Sequence, residues 1–159
     1  MFSFFKKDNF TVVKLELSDV PRLADLHKKV FSTAWGSDSF TSLLNDERVF
    51  GFVTYKVGDP NNIVGFIVAR LVCDEAEIIT LGVAPKQRRL GVGRLMINRL
   101  MQYLHCQRAS VLFLEVDEKN TAAIKLYQSC NFRVFGRRSG YYADEQGRSD
   151  ALMMRRDFK

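Results

Sequence analysis

Three places in this 159-residue sequence hold residue types that can do chemistry. The first is VAPKQRRLGVGRLM, where Gly91 and Gly93 stand among Lys86, Arg88, Arg89 and Arg94. Glycines let a backbone approach a ligand closely and adopt torsions closed to side chains. Where a helix begins in such a passage, its first N–H groups lack internal acceptors and its dipole presents a positive end, which together make an anion cradle. Four cations within nine residues oppose that dipole and destabilise the helix start unless an anion sits there. Without the anion, the passage is a solvated basic turn. It lacks the GKS or GKT of a nucleotide triphosphate loop, and no third glycine completes GxGxxG. The second place is Glu115, a carboxylate inside the apolar run SVLFLEV. A carboxylate desolvated in such a run binds a proton more readily, nearer to what a general base at neutral pH requires. A strand-end glutamate reaching solvent is the plainer reading. The third is Tyr127, which on spacing alone is a core aromatic beside Ala123 and Ile124.

The elements that must position these residues follow from patterning. Thr11 to Leu17 alternates as a half-buried strand. Ser18 or Asp19 can cap a helix with Pro21 in its first turn, running to about Phe31 through Leu23, Leu26, His27 and Val30. A loop around Ala34, Trp35 and Gly36 leads to a short helix that Asp38 can cap. Strand-like runs Phe50–Lys56 and Ile63–Val72 are separated by the turn signal GDPNN, and EAEIITLGV (Glu75–Val83) completes an antiparallel meander. Gly82 interrupts that last run and suggests a bulge where a ligand meets the backbone. A helix is expected from Gly91 to about Arg108, then SVLFLEV as a strand buried on both faces. A second helix starts at the cap Asn120 and stops at Asn131, which tolerates a left-handed backbone. Phe132–Arg138 and Ser149–Arg155 close the chain as a hairpin. The order predicts an α/β (α+β) domain over residues 1–159: a mixed sheet of about seven strands flanked by about four helices. Its parallel crossover runs from Ile78 to Val116, and residues 1–10 form an N-terminal extension.

Composition narrows the function classes. The net charge of +6 calls for an anionic partner: nucleic acid, a membrane surface or a small polyphosphate ligand. No apolar run approaches the ~20 residues of a membrane span, and the first ten residues make a poor signal peptide, so a cytoplasmic chain is expected. The three cysteines, Cys73, Cys106 and Cys130, include no CxxC pair, and only His27 and His105 could assist a thiol. No metal site, disulfide framework or covalent cysteine chemistry is expected. The basic residues cluster at one helix start without the aromatic platform of an RNA reader, which disfavours a nucleic-acid or ribosome-binding module.

Arg88-x-x-Gly91-x-Gly93, followed by LEV, N-x-x-A-x-x-L-Y, a near-terminal YY and D-A-x-x-M, resembles the GCN5-related N-acetyltransferase superfamily, over roughly Thr11 to Phe158. Within it, the chain looks like the branch that acetylates the N-terminal alanine of a small-subunit ribosomal protein. The resemblance implies acetyl-CoA as cosubstrate and a direct, ternary-complex transfer. It puts the backbone of Leu81, Gly82 and Val83 along the acetyl-pantetheine arm, Arg88 at the cofactor, and the amides of Arg89, Leu90, Gly91, Val92, Gly93 and Arg94 at the pyrophosphate, with Asn120 hydrogen-bonding the arm. Glu115 becomes the general base and Tyr127 the general acid, while Trp35, Tyr141 and Tyr142 line the acceptor groove. An α-ammonium, at a pKa of roughly 7.7–8.0, asks less of a base than a lysine at ~10.4. A small amine or a lysine remains the nearest alternative acceptor. The family pattern departs at AWGSDSF, where relatives carry a proline before the tryptophan, which touches the acceptor side. A monomer is expected, with no membrane partner and no direct nucleic-acid function.

Overall fold

The computed structural model describes residues 9–158. Most of the expected N-terminal extension lies outside the described residues, and Phe10 already belongs to the first strand.

Seven strands form one sheet in the order β1-β2-β3-β4-β5-β7-β6. They are β1 (Phe10–Lys14), β2 (Val49–Lys56), β3 (Ile63–Val72), β4 (Glu75–Val83), β5 (Val111–Asp117), β6 (Arg133–Asp144) and β7 (Gly147–Asp157). Four helices accompany them: α1 (Val20–Val30), α2 (Ser37–Leu44), α3 (Val92–Cys106) and α4 (Thr121–Ser129). This is the predicted mixed sheet, with β4 and β5 parallel and every other pairing antiparallel.

Each face of the sheet has its own core. Met96, Ile97, Leu100 and Leu104 recur at helical spacing along α3 and bury completely against Ile67, Leu112 and Met154. On the other face, Leu23, Leu26 and Phe40 of α1 and α2 pack on Val53, Phe66 and Val68. Each such side chain contributes about 1.5–3 kcal/mol when fully buried, so the two helical layers hold β4 firmly from both sides.

Several local expectations change. The first strand stops at Lys14, because Leu17 opens a 3-10 turn and stands 53% exposed. Asp19 does not cap α1 with its side chain; it accepts from the Glu16 amide at 2.9 Å and pairs with Arg22 at 2.8 Å. Gly36 occupies the cap position of α2, and Asp38 falls inside its first turn. From Leu112 onward only alternate residues of β5 are buried, since Phe113 and Glu115 point to the face that α3 leaves uncovered. The closing hairpin is longer than its apolar runs, reaching Asp144 and Gly147, because a polar strand pair needs only its ladder to continue. Asn120 caps α4 by accepting from the Ala123 amide at 3.1 Å, and Asn131 takes φ of 68° at its far end.

Candidate active site

The sheet opens at its centre. β4 and β5 pair only through Glu75 with Val111, Ala76 with Leu112 and Glu77 with Phe113, although β4 continues to Val83 and β5 to Asp117. Beyond Glu77 no pairing joins the facing edges of the two strands among the described residues, leaving backbone N–H and C=O groups without a ladder. Such groups demand partners, and a slot between two strand edges supplies them to a ligand. Leu81, Gly82 and Val83 lie on this open stretch.

Gly82 itself has a different reason than a bulge. The register slip lies at Ile79, between the Val68–Thr80 and Ala69–Ile78 pairs, while Gly82 pairs regularly with Phe66. A Cβ on Gly82 would sit 2.6 Å from the Phe66 ring, so the glycine makes room for an aromatic of the α1 face.

At the end of β4 the chain makes a 3-10 turn, Pro85–Gln87, and enters α3 through a strained loop. Arg89 takes φ of 64° and Gly91, the helix cap, 84°. A left-handed arginine is uncommon, and such backbone strain clusters at ligand clamps. From Arg89 to Arg94 no amide has an acceptor among the described residues; the first helical bond is from the Leu95 amide to Gly91. A Cβ on Gly91 would meet nothing within 4 Å, which leaves the approach open. The row of bare amides, the dipole of a 15-residue helix and the exposed Lys86, Arg88 and Arg89 are the parts that an anion cradle requires.

Two members of the motif do something else. Arg94 turns away from the cradle and donates to Ser129 Oγ at 2.6 Å, tying the start of α3 to the end of α4. Gly93 is buried, and a Cβ there would come within 2.8 Å of Leu126 on α4. The fourth cation and the second glycine thus serve helix packing.

Glu115 stands on the stretch of β5 that does not pair with β4, and Tyr142 is coupled electrostatically to it and to Tyr127. Glu115 is not desolvated: its side chain keeps 29% exposure and pairs with Arg138 at 2.7 Å, through Oε1. Its Oε2 has no hydrogen-bond partner among the described residues. Tyr127 is buried in the α3 core, and desolvation first, with the neighbouring Tyr142 and Cys130, pushes its phenol up to about 12. Burial also raises Tyr142, reinforced by Glu115, Tyr141 and Asp117 and opposed by Arg138. The Tyr142 phenol therefore lies within electrostatic reach of both Glu115 and Tyr127.

A distortion in the hairpin builds this corner. Between the Arg138–Ala151 and Tyr142–Ser149 pairs, three residues of β6 face only Asp150. Asp150 grips the excursion through the Gly140 amide at 2.8 Å, and Arg148 donates to the Gly140 carbonyl at 3.1 Å. The bulge brings the Arg138 guanidinium over the Tyr141 ring at 4.6 Å and sets Tyr141 against Tyr142 at 5.1 Å. Ser149, beneath Tyr142, donates to Asp117 at 2.7 Å. Sequence reasoning missed Arg138; its adjacency to YY hinted at a role, but only the bulge turns it toward Glu115.

Trp35 stands apart from the tyrosines, against α1. It stacks on His27 at 5.2 Å and 18°, and no ring contact joins it to Tyr141 or Tyr142 among the described residues. No group of three or more metal-ligating side chains forms among the described residues.

Comparison with known proteins agrees with this geometry. The acetyltransferase (GNAT) family model matches residues 20–132. The [ribosomal protein bS18]-alanine N-acetyltransferase of Escherichia coli K12 is 28% identical over 144 residues, covering 91% of this chain and 95% of that protein. The N-alpha-acetyltransferase RimI of Mycobacterium tuberculosis is 30% identical over 153 residues, 92% of each chain. The crystal structure of the Escherichia coli ribosomal-protein-S18-alanine N-acetyltransferase superposes with a TM-score of 0.87 at 30% identity, over 94% of both chains.

Proposed function

The chain belongs to the GNAT family of acetyltransferases, and on that premise we propose that it acetylates a protein N-terminus from acetyl-CoA, the acceptor being the N-terminal alanine of a small-subunit ribosomal protein. The parting of β4 and β5 above the row of bare amides carries this reading, because it offers one continuous seat to a pantetheine arm and a pyrophosphate. The relatives' acceptor supplies the other half.

Bound acetyl-CoA supplies the acetyl group as a thioester, activated toward an amine. In this reading the amides from Arg89 to Arg94 hold the pyrophosphate, assisted by the side chains of Lys86, Arg88 and Arg89. The open edge of Leu81 to Val83 holds the arm. Asn120 commits its oxygen to the Ala123 amide and keeps its NH2 for the ligand.

Glu115 takes the proton from the acceptor ammonium at Oε2, directly or through one water, while Arg138 steadies Oε1. That ion pair is too exposed to stabilise the fold by more than about 1 kcal/mol, so orientation is its use. Tyr127 faces the departing sulfur. A thiol near ~8.5 is far more acidic than a phenol at about 12, so Tyr127 acts first as a hydrogen-bond donor to developing thiolate charge. The neutral amine then attacks the thioester carbonyl and the C–S bond breaks. The second proton, lost by nitrogen as the amide forms, balances the one gained by sulfur, and the ammonium proton held by Glu115 leaves to solvent.

No protein nucleophile is needed. Cys73 and Cys106 lie at the start of β4 and the end of α3, the opposite end of the sheet from the cradle, and Cys130 is buried. Many arginines that make the chain basic are ion-paired: Arg137 with Glu118 and Asp150, Arg133 and Arg155 with Asp157, Arg70 with Glu77. Those charges are committed within the fold, which disfavours a basic stripe for RNA, and a ribosomal-protein acceptor puts the reaction in the cytoplasm.

The test is acetyl-CoA turnover against peptides with different N-termini, free lysine and polyamines, read by mass spectrometry. Acetylation of the α-amine of an alanine-starting peptide is expected. Turnover confined to lysine or polyamines would replace the acceptor and keep the cofactor reading.

A further inference from the structure

The mechanism leaves unused a titratable group at the centre of the α1 face. His27 is 2% exposed and enclosed by the rings of Phe31, Trp35, Phe40 and Phe66, with centroids 4.5 to 5.5 Å away. Two polar contacts reach it. Its Nδ1 accepts the backbone N–H of Trp35 at 3.1 Å, and its Nε2 faces Thr80 Oγ1 at 3.4 Å.

These contacts fix the protonation state. A ring that accepts at Nδ1 is neutral and carries its proton on Nε2, where it points at the threonine. Protonation would set an Nδ1–H against the Trp35 N–H, donor against donor. Among the described residues, the groups packed on the ring from α1, the loop after it, α2, β3 and β4 are Phe31, Trp35, Phe40, Phe66 and Thr80, none of them ionisable. Burial alone lowers the proton affinity of His27, so the neutral form is the resting one.

The two partners belong to different halves of the site. Trp35 sits on the loop between α1 and α2, and the family resemblance implies that it lines the acceptor groove. Thr80 is two residues before Gly82, on the stretch of β4 that borders the slot. We propose that His27 is a positioning residue of the acceptor side: its neutral ring anchors the Trp35 loop to β4, setting where the acceptor enters relative to the acetyl group. This rests on the acceptor reading of Trp35.

Trp35 is the one tryptophan of the sequence, so its emission reports the tie directly. A protonated imidazole stacked on an indole quenches it. The wild-type chain is compared with His27→Phe, which keeps an aromatic ring but no acceptor, and His27→Asn, whose Oδ1 can accept in place of Nδ1. Wild-type emission is expected to fall on acidification with a midpoint below 6.5, and both variants to lose that transition. In steady-state turnover of an alanine-starting peptide at pH 7.5, His27→Phe should raise the acceptor KM about threefold to tenfold, the loss of one hydrogen bond. Its KM for acetyl-CoA should stay within about twofold, and His27→Asn should recover most of the acceptor KM. An emission transition that persists in either variant, or an acceptor KM unmoved in His27→Phe, overturns the proposal. Should His27→Phe not fold, the emission and acceptor KM of His27→Asn decide it. If wild-type protein leaves the peptide unmodified, the acceptor reading falls, and the tie is then decided by the emission alone.

Discussion

The two sides of the slot are built from different materials. The side proposed to hold the cofactor is backbone: an open strand edge, a left-handed Arg89 and Gly91, and amides without acceptors among the described residues. The side proposed to take the acceptor is side chains brought together from distant segments: Trp35 on His27, Arg138 over Tyr141 and against Glu115. Backbone geometry is set by a few consecutive residues and tolerates changes of neighbouring side chain. A constellation of side chains depends on packing across the whole fold, so a few substitutions can re-aim it. One frame can therefore hold the same donor while its acceptor drifts.

The largest break in that comparison should come from Glu115, where the two sides meet. Glu115→Gln is expected to lower kcat/KM for the acceptor by about 10²–10⁴-fold at pH 7, the range for loss of a general base. The deficit should narrow above about pH 8, where an α-amine deprotonates without help. Acetyl-CoA affinity by calorimetry should be unchanged within about twofold. Turnover equal to wild type at pH 7 would remove Glu115 from the chemistry.

Tyr127→Phe should cost about 10²-fold in kcat, at the low end of proton-transfer effects because the phenol acts first as a hydrogen-bond donor. Its ionisation near about 12 predicts that wild-type kcat shows no alkaline decline from this residue up to about pH 10. Such a decline, absent in Tyr127→Phe, would mean that the phenol is far more acidic in the working complex than in the free chain.

The paired glycines sharpen the contrast within one motif. Gly91→Ala places a side chain at φ of 84°, a penalty of roughly 1–2 kcal/mol, in a loop with open space to relax. It should weaken acetyl-CoA binding by about tenfold and leave the melting temperature nearly unchanged. Gly93→Ala should do the reverse, since its Cβ meets Leu126 beside Tyr127. Its melting temperature and kcat should fall while cofactor affinity holds. If both variants lose only affinity, Gly93 belongs to the cradle after all.

These assignments mark what was legible in the sequence. The order of elements along the chain, the parallel crossover, the cap at Asn120 and the left-handed end at Asn131 depend on local patterning, and they stand. The cradle was legible because its cause is local, a strand running into a glycine-bearing helix start. Why Gly82 and Gly93 are glycines was not, since Phe66 and Leu126 come from elsewhere in the chain. Nor was the environment of Glu115. Its apolar neighbours in sequence occupy alternate faces of β5, and its true neighbour, Arg138, arrives through a bulge in another strand. Periodicity put His27 on the inward face of α1 but did not show that Trp35 returns to it.

The smallest expected effect belongs to that histidine and concerns stability. Burial lowers its pKa in the folded chain, while the unfolded chain keeps a value near ~6.5. Below that pH the unfolded state binds a proton the folded state declines, so folding stability is lost as pH falls through ~6.5 and is unaffected above it. The slope is at most about 1.4 kcal/mol per pH unit, and each kcal/mol shifts the melting temperature of a chain this size by about 2–4 °C. Between pH 7.5 and 5.5 the wild-type melting temperature should thus drop a few degrees further than that of His27→Asn, by calorimetry. Other titrating groups act on both proteins alike and cancel in the difference. Parallel curves would show that the ring takes up its proton without strain, and that the acceptor side is less dependent on His27 than its packing implies.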